Sequence, residues 1–466
     1  MTRAAPASII DKIWSQHLVS DLGAGTCLVH IDRIMMHDRG GGLTLRKLTE
    51  SGNPVARPAS VFATVDHVVE TFPGRTSTTS IPGGETLIRE LRSGARRHAV
   101  RMLDIDDPGQ GIVHVVSPEL GIVLPGLTLI CNDSHTGTVG GVGALAWGVG
   151  TTELEHALAT QCLLMEAPRT MRIELVGPPP EGTSAKDLVL HLIGVLGADG
   201  GRGRTVEFVG SVVDRMSVQE RLTLCNMAVE FSARTAVVAP DDTTTEFLAG
   251  TDFAPKGAEW ELAVAEWAAL RSDAGATYAE TASVDCSAVA PQVTWGTSPA
   301  HVIAVQDRVP GPSDRLPAAE AERALRYMGL TPGQPILGLP IDAAFIGSCT
   351  NSRIDDLRAA AAALRGRQAA PGVRAICVPG SGAVKRQAEA EGLDEVFRAA
   401  GFSWREPGCS MCFHAGGEGF AGQRVVTTTN RNFEHRQGAG ARSHLASPAT
   451  VAASAVAGSI ADPRTG

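Results

Sequence analysis

The sequence predicts an α/β protein made of parallel β–α units. Apolar runs, Gly- or Asn-rich turns and Ala-rich stretches of helical spacing follow one another along the chain. Gly (52 residues) and Pro (27) are plentiful while aromatic residues make up 4%, which is typical of an α/β enzyme with many loops. A chain of 466 residues exceeds one ordinary core, so two to four domains are expected.

The N-terminal elements are predicted from four stretches. Residues 121–131 are expected to be extended and to end at the polar segment 132–135. Residues 153–165 have the spacing of a helix, and residues 172–176 are expected to form a strand that opens a new unit. The Gly-rich run 137–150 lacks the register of a dinucleotide fingerprint and is expected to allow close packing near a site.

The C-terminal elements follow the same pattern. Residues 252–317 carry scattered Pro, Gly and Asp with few periodic runs, so a domain linker is expected there. Residues 341–346 are predicted to form a strand that delivers Cys349 to its carboxyl end, followed by a helix over 353–365. Residues 373–378 repeat the strand-to-loop pattern. Ligands bind at the carboxyl ends of strands in open parallel sheets, which favours a site beside Cys349.

Composition and charge exclude several classes of protein. The chain is 43% hydrophobic and 20% charged, as in soluble globular proteins, and no stretch approaches the roughly 20 apolar residues of a membrane span. The N-terminus lacks the apolar core of a secretory signal, and nine cysteines without even spacing favour the cytoplasm. A net charge of −9 with dispersed basic residues argues against a nucleic-acid surface.

Three cysteines carry most of the chemical information. Cys349 lies in Phe345-Ile-Gly-Ser-Cys-Thr-Asn351, and Cys409 and Cys412 form a Cys-x-x-Cys pair sixty positions later (409 minus 349). Three thiolates suit an iron–sulfur cluster with one iron free of protein ligands, whereas electron-transfer clusters are normally held by four cysteines. Without further context, a structural zinc or three unrelated thiols is about as plausible. The remaining cysteines are interpreted as core residues: Cys27, Cys131, Cys162, Cys225, Cys286 and Cys377.

Six motifs together resemble the aconitase superfamily and, within it, the large subunits of bacterial isopropylmalate dehydratases. The match covers nearly the whole chain. The motifs are Val65-Asp-His-Val-Val-Glu-Thr71, Asp133-Ser-His-Thr136, Pro291-Gln-Val-Thr-Trp-Gly-Thr-Ser-Pro299, Phe345-Ile-Gly-Ser-Cys-Thr-Asn-Ser-Arg353, Gly408-Cys-Ser-Met-Cys412 and Asn430-Arg-Asn-Phe-Glu-His-Arg-Gln-Gly438.

The resemblance implies a fold, a cofactor and a reaction. The fold is three α/β/α domains around a central cluster without the family's swivelling fourth domain, and we expect the domains at 1–168, 169–290 and 291–466. The cofactor is one [4Fe–4S] cluster per chain, held by Cys349, Cys409 and Cys412, with one iron lacking a protein ligand. The reaction is the dehydration and rehydration of 2-isopropylmalate to 3-isopropylmalate in leucine biosynthesis.

The resemblance also implies catalytic residues. They are Asp66 with His67, Asp133 with His135, and His114 with Glu207. Because Asp66 adjoins His67, its carboxylate can orient the imidazole as a proton donor to the departing hydroxyl. Taken alone, Asp133-Ser-His135 is also interpretable as an Asx-turn that caps the next helix, which is compatible with a site role. A single histidine in an apolar run, such as His114, is more often a satisfied core residue.

Five further residues are expected to bind the dicarboxylate substrate. Arg431 and Arg436 suit bidentate binding of carboxylates, although they could instead hold their own loop through Glu434. Orienting hydrogen bonds are expected from Ser134, Asn351 and Asn430.

The family's serine base lies in a motif that this sequence lacks. In the isopropylmalate enzymes that motif belongs to a separate small subunit with the swivelling domain. The chain alone is therefore expected to be inactive and to require a small-subunit partner in a heterodimer.

Three places depart from the family pattern: residues 37–42, residues 413–420 and His435. They leave open the same hydro-lyase chemistry on another malate, such as citramalate, dimethylmalate or a homoaconitate-type acid. An RNA-binding protein that acts after cluster loss would need a basic groove, and a redox or structural metal protein would need a fourth cysteine in the cluster loops. The sequence offers neither.

Overall fold

The computed structural model describes residues 5–313, 316–414 and 416–465. The chain forms three parallel sheets and two small antiparallel sheets. Each parallel sheet is formed by one stretch of the chain: the first stretch is residues 9–166, the second is residues 170–285 and the third is residues 292–457. The predicted α/β class is confirmed. No helix among the described residues is long and apolar enough to cross a membrane.

The first stretch forms a five-stranded parallel sheet with the order β5-β4-β3-β6-β7, here called the first sheet, and an antiparallel sheet with the order β1-β2-β8. Its strands are β1 (Leu18–Asp21), β2 (Thr26–His30), β3 (Arg33–His37), β4 (Val61–Thr64), β5 (Arg101–Leu103), β6 (Thr128–Cys131), β7 (Leu145–Gly148) and β8 (Cys162–Glu166). Its helices are α1 (Ile9–His17), α2 (Gly41–Glu50), α3 (Gly84–Arg97), α4 (Val113–Glu119) and α5 (Thr151–Thr160).

The second stretch forms a four-stranded parallel sheet, the second sheet, with the order β11-β10-β9-β12. Its strands are β9 (Thr170–Val176), β10 (Thr205–Val209), β11 (Thr235–Val238) and β12 (Glu280–Asp285). Its helices are α6 (Ala185–Leu196), α7 (Val218–Asn226), α8 (Asp242–Leu248) and α9 (Ala258–Ala268).

The third stretch begins with an antiparallel pair, β13 (Gln292–Thr294) and β14 (Val302–Ala304), and continues into a parallel sheet, the third sheet, with the order β17-β16-β15-β18-β19. Its strands are β15 (Ala343–Ile346), β16 (Arg374–Cys377), β17 (Ser403–Trp404), β18 (Arg424–Thr427) and β19 (Arg442–Leu445). Its helices are α10 (Ala318–Met328), α11 (Ile354–Leu364), α12 (Gly382–Ala390), α13 (Leu393–Ala399) and α14 (Pro448–Ala457). Short 3₁₀ helices span Pro58–Ser60, Thr136–Val142, Val213–Arg215, Met227–Phe231 and Ser410–Cys412.

The central strands of the parallel sheets are buried on both faces. β4, β6, β15 and β18 consist of buried residues throughout, as expected when helices cover a parallel sheet on both sides. The strands predicted over 172–176, 341–346 and 373–378 and the helix over 353–365 are confirmed as β9, β15, β16 and α11.

Two predicted elements in the first stretch are wrong in extent. Within residues 121–131 only β6 is a strand, because Gly121 and Gly126 adopt positive φ angles of 70° and 82° that no extended strand allows. The helix predicted over 153–165 stops at Thr160, because Gln161 has φ 55°. The chain then reverses into β8, which pairs antiparallel with β2.

The predicted linker over 252–317 contains a helix and three strands. They are α9, β12, β13 and β14, while residues 314 and 315 lie outside the described residues. Trp260 and Trp267 of α9 pack edge to face with their rings 5.2 Å apart, and Trp267 is buried in the core of the first stretch. The scattered Pro and Gly residues gave no sign of this helix, which packs through the side chains of Trp260 and Trp267.

The Gly-rich run lets the first and second sheets approach closely. A Cβ atom on Gly140 would lie 1.8 Å from the carbonyl oxygen of Ala236 in β11, and one on Gly141 would lie 2.6 Å from the amide nitrogen of Leu222 in α7. The predicted close packing is confirmed. It is a contact between backbones that any side chain would block.

Candidate active site

A cavity of about 350 Å³ is lined by residues that follow strands of the first and third sheets. They lie at or after the carboxyl ends of β3, β4, β5, β6 and β7 on one side and of β15, β17 and β18 on the other. The carboxyl ends of parallel strands are the usual position of a ligand site. The polar and sulfur-bearing lining residues are His37, Arg39, His67, His114, Asn132, Asp133, Ser134, His135, Thr151, Cys349, Cys409, Cys412, Asn430, Arg431 and Arg436.

All three cysteines singled out from the sequence line this cavity and are otherwise buried. The Sγ of Cys349 accepts hydrogen bonds from Nδ2 of Asn226 at 3.2 Å and Nδ2 of Asn430 at 3.4 Å. None of the other six cysteines lines the cavity in the part of the chain that the structure describes. The sulfur-bearing side chains of Cys349, Cys409 and Cys412 therefore line the same cavity.

The loop that carries Cys349 is held by a buried arginine. Nη1 of Arg353 donates to the carbonyl oxygen of Cys349 at 2.7 Å, and Nη2 donates to that of Thr350 at 2.8 Å. Burial raises the pKa of Cys349 to about 12 and the pKa of Cys409 well above its ordinary value. A bound metal would reverse this preference, because thiolate is the form that ligates metals.

Asp66 and His67 form a buried carboxylate–imidazole pair. The carboxylate accepts from Nδ1 of His67 at 2.7 Å and from the amide of Val113 at 2.9 Å. Burial disfavours the imidazolium, but the negative charge of Asp66 is the main influence that holds the pKa of His67 well above its ordinary value. Since Nδ1 is bound to Asp66, Nε2 is the nitrogen left to exchange a proton.

The carboxylate of Asp133 lies among four imidazoles. Its Oδ1 is 2.9 Å from Nε2 of His114 and accepts from the amide of His135 at 2.7 Å, and its Oδ2 is 3.3 Å from Nε2 of His67. The ring of His37 stacks on that of His67 with centroids 3.9 Å apart. Burial opposes ionisation, but His114 and the other imidazoles hold the pKa of Asp133 well below its ordinary value. The cluster therefore combines a stable carboxylate with protonatable rings.

Asp38 positions the Asp66–His67 pair from below. Ligand atoms of His37, Asp38, Asp66 and His67 lie within 4.8 Å of one another, a spacing that could suit a metal ion. However, the two oxygens of Asp38 already accept from the amides of His67 (3.2 Å) and Val68 (3.0 Å). These contacts indicate that Asp38 supports the backbone that carries His67.

A second chain of contacts runs from His135 to Arg431. Nε2 of His135 and Nε of Arg431 each lie 2.8 Å from Oε1 of Glu230, and Nη1 of Arg431 donates to Oγ of Ser134 at 2.9 Å. Glu230 belongs to the 3₁₀ helix Met227–Phe231, so the second stretch of the chain supplies this link. The guanidinium of Arg431 is thereby fixed at the cavity.

Asn430 lies between the sulfurs of Cys349 and Cys412, and the backbone just before it is bound by a buried lysine. The Oδ1 of Asn430 is 3.8 Å from Sγ of Cys412, while its Nδ2 bonds to Cys349. Nζ of Lys186, a completely buried residue of α6, donates to the carbonyl oxygens of Thr428 (3.1 Å) and Thr429 (2.6 Å) just before it. Burial lowers the pKa of Lys186 to about 7.

Arg436 lines the cavity, and its buried Nε has no hydrogen-bond partner among the described residues. Glu434 does not hold the two arginines among the described residues. Its ion-pair partner is Arg323 at 3.5 Å, while Arg431 pairs with Glu230.

The structure does not bring Glu207 or Asn351 to the cavity. The carboxylate of Glu207 accepts from Oγ of Ser272 at 2.8 Å and from the hydroxyl of Tyr278 at 2.7 Å, in a separate cleft beside β10. His114 pairs with Asp133 instead. Asn351 is buried and donates from Nδ2 to Asp356 at 2.8 Å.

Several residues of the site were missed by the sequence reasoning. Asn226 and Glu230 lie in an ordinary helical segment with no motif, so no signal could have found them. His37 is the last residue of β3 and Arg39 follows it. Their position at the carboxyl end of an apolar strand could have indicated that they belong to the site.

Two sequence comparisons with known proteins agree with the resemblance. The sequence model of the Aconitase family (aconitate hydratase) matches residues 11–458. The 3-isopropylmalate dehydratase large subunit 1 of Bradyrhizobium diazoefficiens is 52% identical over 462 residues, which cover 98% of this chain and 96% of that protein. The holo form of aconitase X from Thermococcus kodakaraensis aligns with a TM-score of 0.47 and 13% identity, covering 87% of this chain and 84% of that one.

Proposed function

The chain belongs to the aconitase family, and from this premise we propose that it is the large subunit of a 3-isopropylmalate dehydratase. It is a hydro-lyase that isomerises 2-isopropylmalate to 3-isopropylmalate by removing and re-adding water, a step of leucine biosynthesis. The observation that carries this function is the identity to the Bradyrhizobium large subunit along nearly the whole chain.

The family implies an iron–sulfur cluster, which we assign as one [4Fe–4S] cluster held by Cys349, Cys409 and Cys412. Three buried thiols face one cavity, no fourth cysteine lines it among the described residues, and two side-chain amides point at Cys349. This donor set fits a cluster with one iron lacking a protein ligand. When bound, the cluster supplies a Lewis acid that makes hydroxide a better leaving group.

We assign His67 as the group that protonates the departing hydroxyl. Asp66 fixes its Nδ1, and the negative charge of Asp66 raises the pKa of the imidazole, which favours the protonated ring that a proton donor needs. Asp133 accepts from the surrounding imidazoles, so it can hold the ring in place as its charge changes.

Arg431 and Arg436 are the proposed carboxylate-binding residues, with Ser134 and Asn430 as orienting donors. The contact of Arg431 with Glu230 and Ser134 supports this role, because a guanidinium held on two sides is already oriented. The sequence predicts that Glu207 pairs with a histidine of the site. We assign that pairing to Glu230 in its place, since Glu230 contacts the cavity-lining His135 whereas Glu207 contacts Ser272.

The base that removes the substrate proton belongs, in this proposal, to a serine on a small subunit with the swivelling domain. The name of the Bradyrhizobium relative, a large subunit, supports a partner of this kind. Arg39 at the edge of the cavity is exposed in this chain, which leaves room for such a partner to approach.

One observation favours a second candidate, the same chemistry on another substituted malate. Phe413 and Arg39 line the cavity and come from two of the segments that depart from the family pattern; Ala415, in the second of these, lies outside the described residues. Citramalate, dimethylmalate and homoaconitate-type acids therefore belong in the substrate panel.

The test is anaerobic turnover of 2-isopropylmalate by the reconstituted chain, with and without its small subunit, followed by ultraviolet absorbance of the unsaturated intermediate. We expect activity only with both chains. Activity on another substituted malate, with none on 2-isopropylmalate, would mean that this other malate is the substrate. Zinc, or no iron, in anaerobically purified protein would overturn the cluster assignment, as would full iron and sulfide in a Cys349→Ser variant.

A further inference from the structure

Arg39 lies at the edge of the cavity with no acidic partner of its own. It follows β3 and precedes α2, and its Cζ lies 3.9 Å above the centre of the Phe413 ring. No carboxylate forms an ion pair with its guanidinium in the described part of the chain, where Asp38 and Asp133 act on it only at longer range. A cation held by a ring and left without a counter-ion is free to bind an anion.

Arg436 approaches the same ring. Its Cζ lies 5.0 Å from the centre of Phe413 and 5.3 Å from the centre of Phe433, and its buried Nε has no hydrogen-bond partner in the part of the chain that the structure describes. Burial and then the positive charge of Arg436 lower the pKa of Arg39, in keeping with two guanidinium groups that pack on one ring. Two unpaired like charges beside one cavity are stabilised when an anion joins them.

Arg431 differs from this pair, because Glu230 already neutralises its charge. The uncompensated positive charge of the cavity is therefore on the side of Phe413. A second carboxylate of the substrate would therefore be bound most strongly on the Phe413 side of the cavity.

From this geometry we infer that Arg39 is a substrate-binding residue that acts with Arg436 on one carboxylate, both braced on Phe413. The inference rests on the proposed function for the identity of the substrate. It adds a recognition position to the site: the ligand is a dicarboxylate with one carboxylate at Arg431 and Ser134 and the other at Arg39 and Arg436.

The test compares Arg39→Met and Arg39→Lys with the natural chain, each with its cluster and small subunit. Met keeps an unbranched, largely apolar stem and removes the charged guanidinium, so KM for 2-isopropylmalate should rise about tenfold or more with a smaller change in kcat. Lys should recover part of this loss, because it restores the charge without the planar fork. Arg46→Met on α2 is the matched control, since Arg46 is exposed and makes only distant surface ion pairs, and its KM should not change.

Isothermal titration of the same proteins with succinate, a plain dicarboxylate, gives a readout that does not require turnover. We expect weaker succinate binding in Arg39→Met and unchanged binding in Arg46→Met. Unchanged KM and succinate affinity in Arg39→Met would overturn the inference. So would a loss of small-subunit affinity with succinate binding intact, which would make Arg39 a partner contact. If the natural enzyme leaves 2-isopropylmalate unchanged while Arg39→Met still weakens succinate binding, the proposed substrate fails and the inference stands.

Discussion

Glu230 is the residue on which two functional side chains converge. One of its oxygens lies 2.8 Å from both His135 and Arg431, so a single carboxylate fixes an imidazole and a guanidinium. Charge-assisted contacts of this kind are stronger than neutral hydrogen bonds and lose most when one partner becomes neutral. The orientation of Arg431 at the cavity therefore depends on a residue of the second stretch of the chain.

Glu230→Gln should raise KM for the substrate about tenfold, because Arg431 loses its charged anchor. Steady-state kinetics of the complete enzyme measures this change. Glu207→Gln is the matched control, since Glu207 is bound to Ser272 and Tyr278 away from the cavity. A larger effect from Glu207→Gln than from Glu230→Gln would reverse our choice between the two glutamates.

The motifs predicted the residues that are close in sequence to a chemical signature. Asp66 with His67 and the cysteines were predicted because family motifs carry them, and their convergence could be expected from the carboxyl ends of parallel strands. Glu230 and Asn226 could not be predicted, since their role arises from how the second stretch packs against the cavity. Local sequence does not encode such a contact.

His444 provides a stability prediction that depends on pH. It is completely buried, with Nδ1 2.7 Å from the carbonyl oxygen of Thr294 and Nε2 2.9 Å from Nη1 of Arg424. Burial and the positive charge of Arg424 lower its pKa to about 3. The folded chain therefore keeps His444 neutral, whereas an unfolded histidine gains a proton below about pH 6.5.

Since the unfolded state binds the extra proton, stability contributed by His444 is lost as pH falls. Between about pH 7.5 and about pH 5.5 the natural chain should lose about 1.4 kcal/mol of unfolding free energy through this residue. Chemical denaturation at both pH values tests this against His444→Gln, which keeps a donor and an acceptor but does not titrate. Equal losses in the two proteins would contradict the prediction.

At the scale of elements, the 3₁₀ helix Thr136–Val142 links the first sheet to the second. It begins immediately after His135, so its packing also sets the position of the Asp133–His135 segment. Gly140 and Gly141 bring its backbone against β11 and α7 at distances that exclude a side chain. The Gly-rich composition predicted close packing, but the partner elements could be known only from the fold.

Gly140→Ala should destabilise the chain by more than about 3 kcal/mol, because a Cβ atom 1.8 Å from a backbone oxygen forces the two segments apart. Gly311→Ala is the control. Its nearest neighbour would be 3.7 Å away on Pro332, and its effect should stay within about 0.5 kcal/mol. Chemical denaturation of both variants gives the comparison, and similar stabilities would show that the 3₁₀ helix can move at little cost.

Element boundaries were the least predictable part of the fold. The reversal at Gln161 that ends α5 depends on the pairing of β8 with β2, which lies more than a hundred residues earlier in the chain. The helical spacing of residues 153–165 carried no sign of that pairing. Buried strands such as β15, in contrast, were predicted correctly because their apolar runs reflect burial on both faces.

Across the whole molecule, buried cations join the second and third stretches behind the cavity. Arg353 donates from Nη2 to the carbonyl oxygen of Gln219 at 3.0 Å and to Oγ1 of Thr223 at 2.8 Å, both on α7. Lys186 on α6 donates to the backbone at the end of β18. The site is therefore held by contacts between sheets, so its order depends on their relative position.

Lys186→Met tests this dependence. Methionine has a similar volume and removes a buried charge, so the chain should still fold. However, the carbonyl oxygens of Thr428 and Thr429 lose their donor, and the segment that carries Asn430 should loosen. Because Asn430 contacts the sulfurs of Cys349 and Cys412, the reconstituted variant should release iron to a chelator about tenfold faster under anaerobic conditions.

Lys256→Met, at an exposed position, is the control for losing a lysine, and its iron release should match that of the natural chain. Thermal unfolding of both variants separates the two possible effects. A lower unfolding temperature with unchanged iron release would mean that Lys186 serves only the packing between α6 and β18. Faster iron release at an unchanged unfolding temperature would mean that this cation holds the cysteine-bearing side of the cavity in the arrangement a cluster requires.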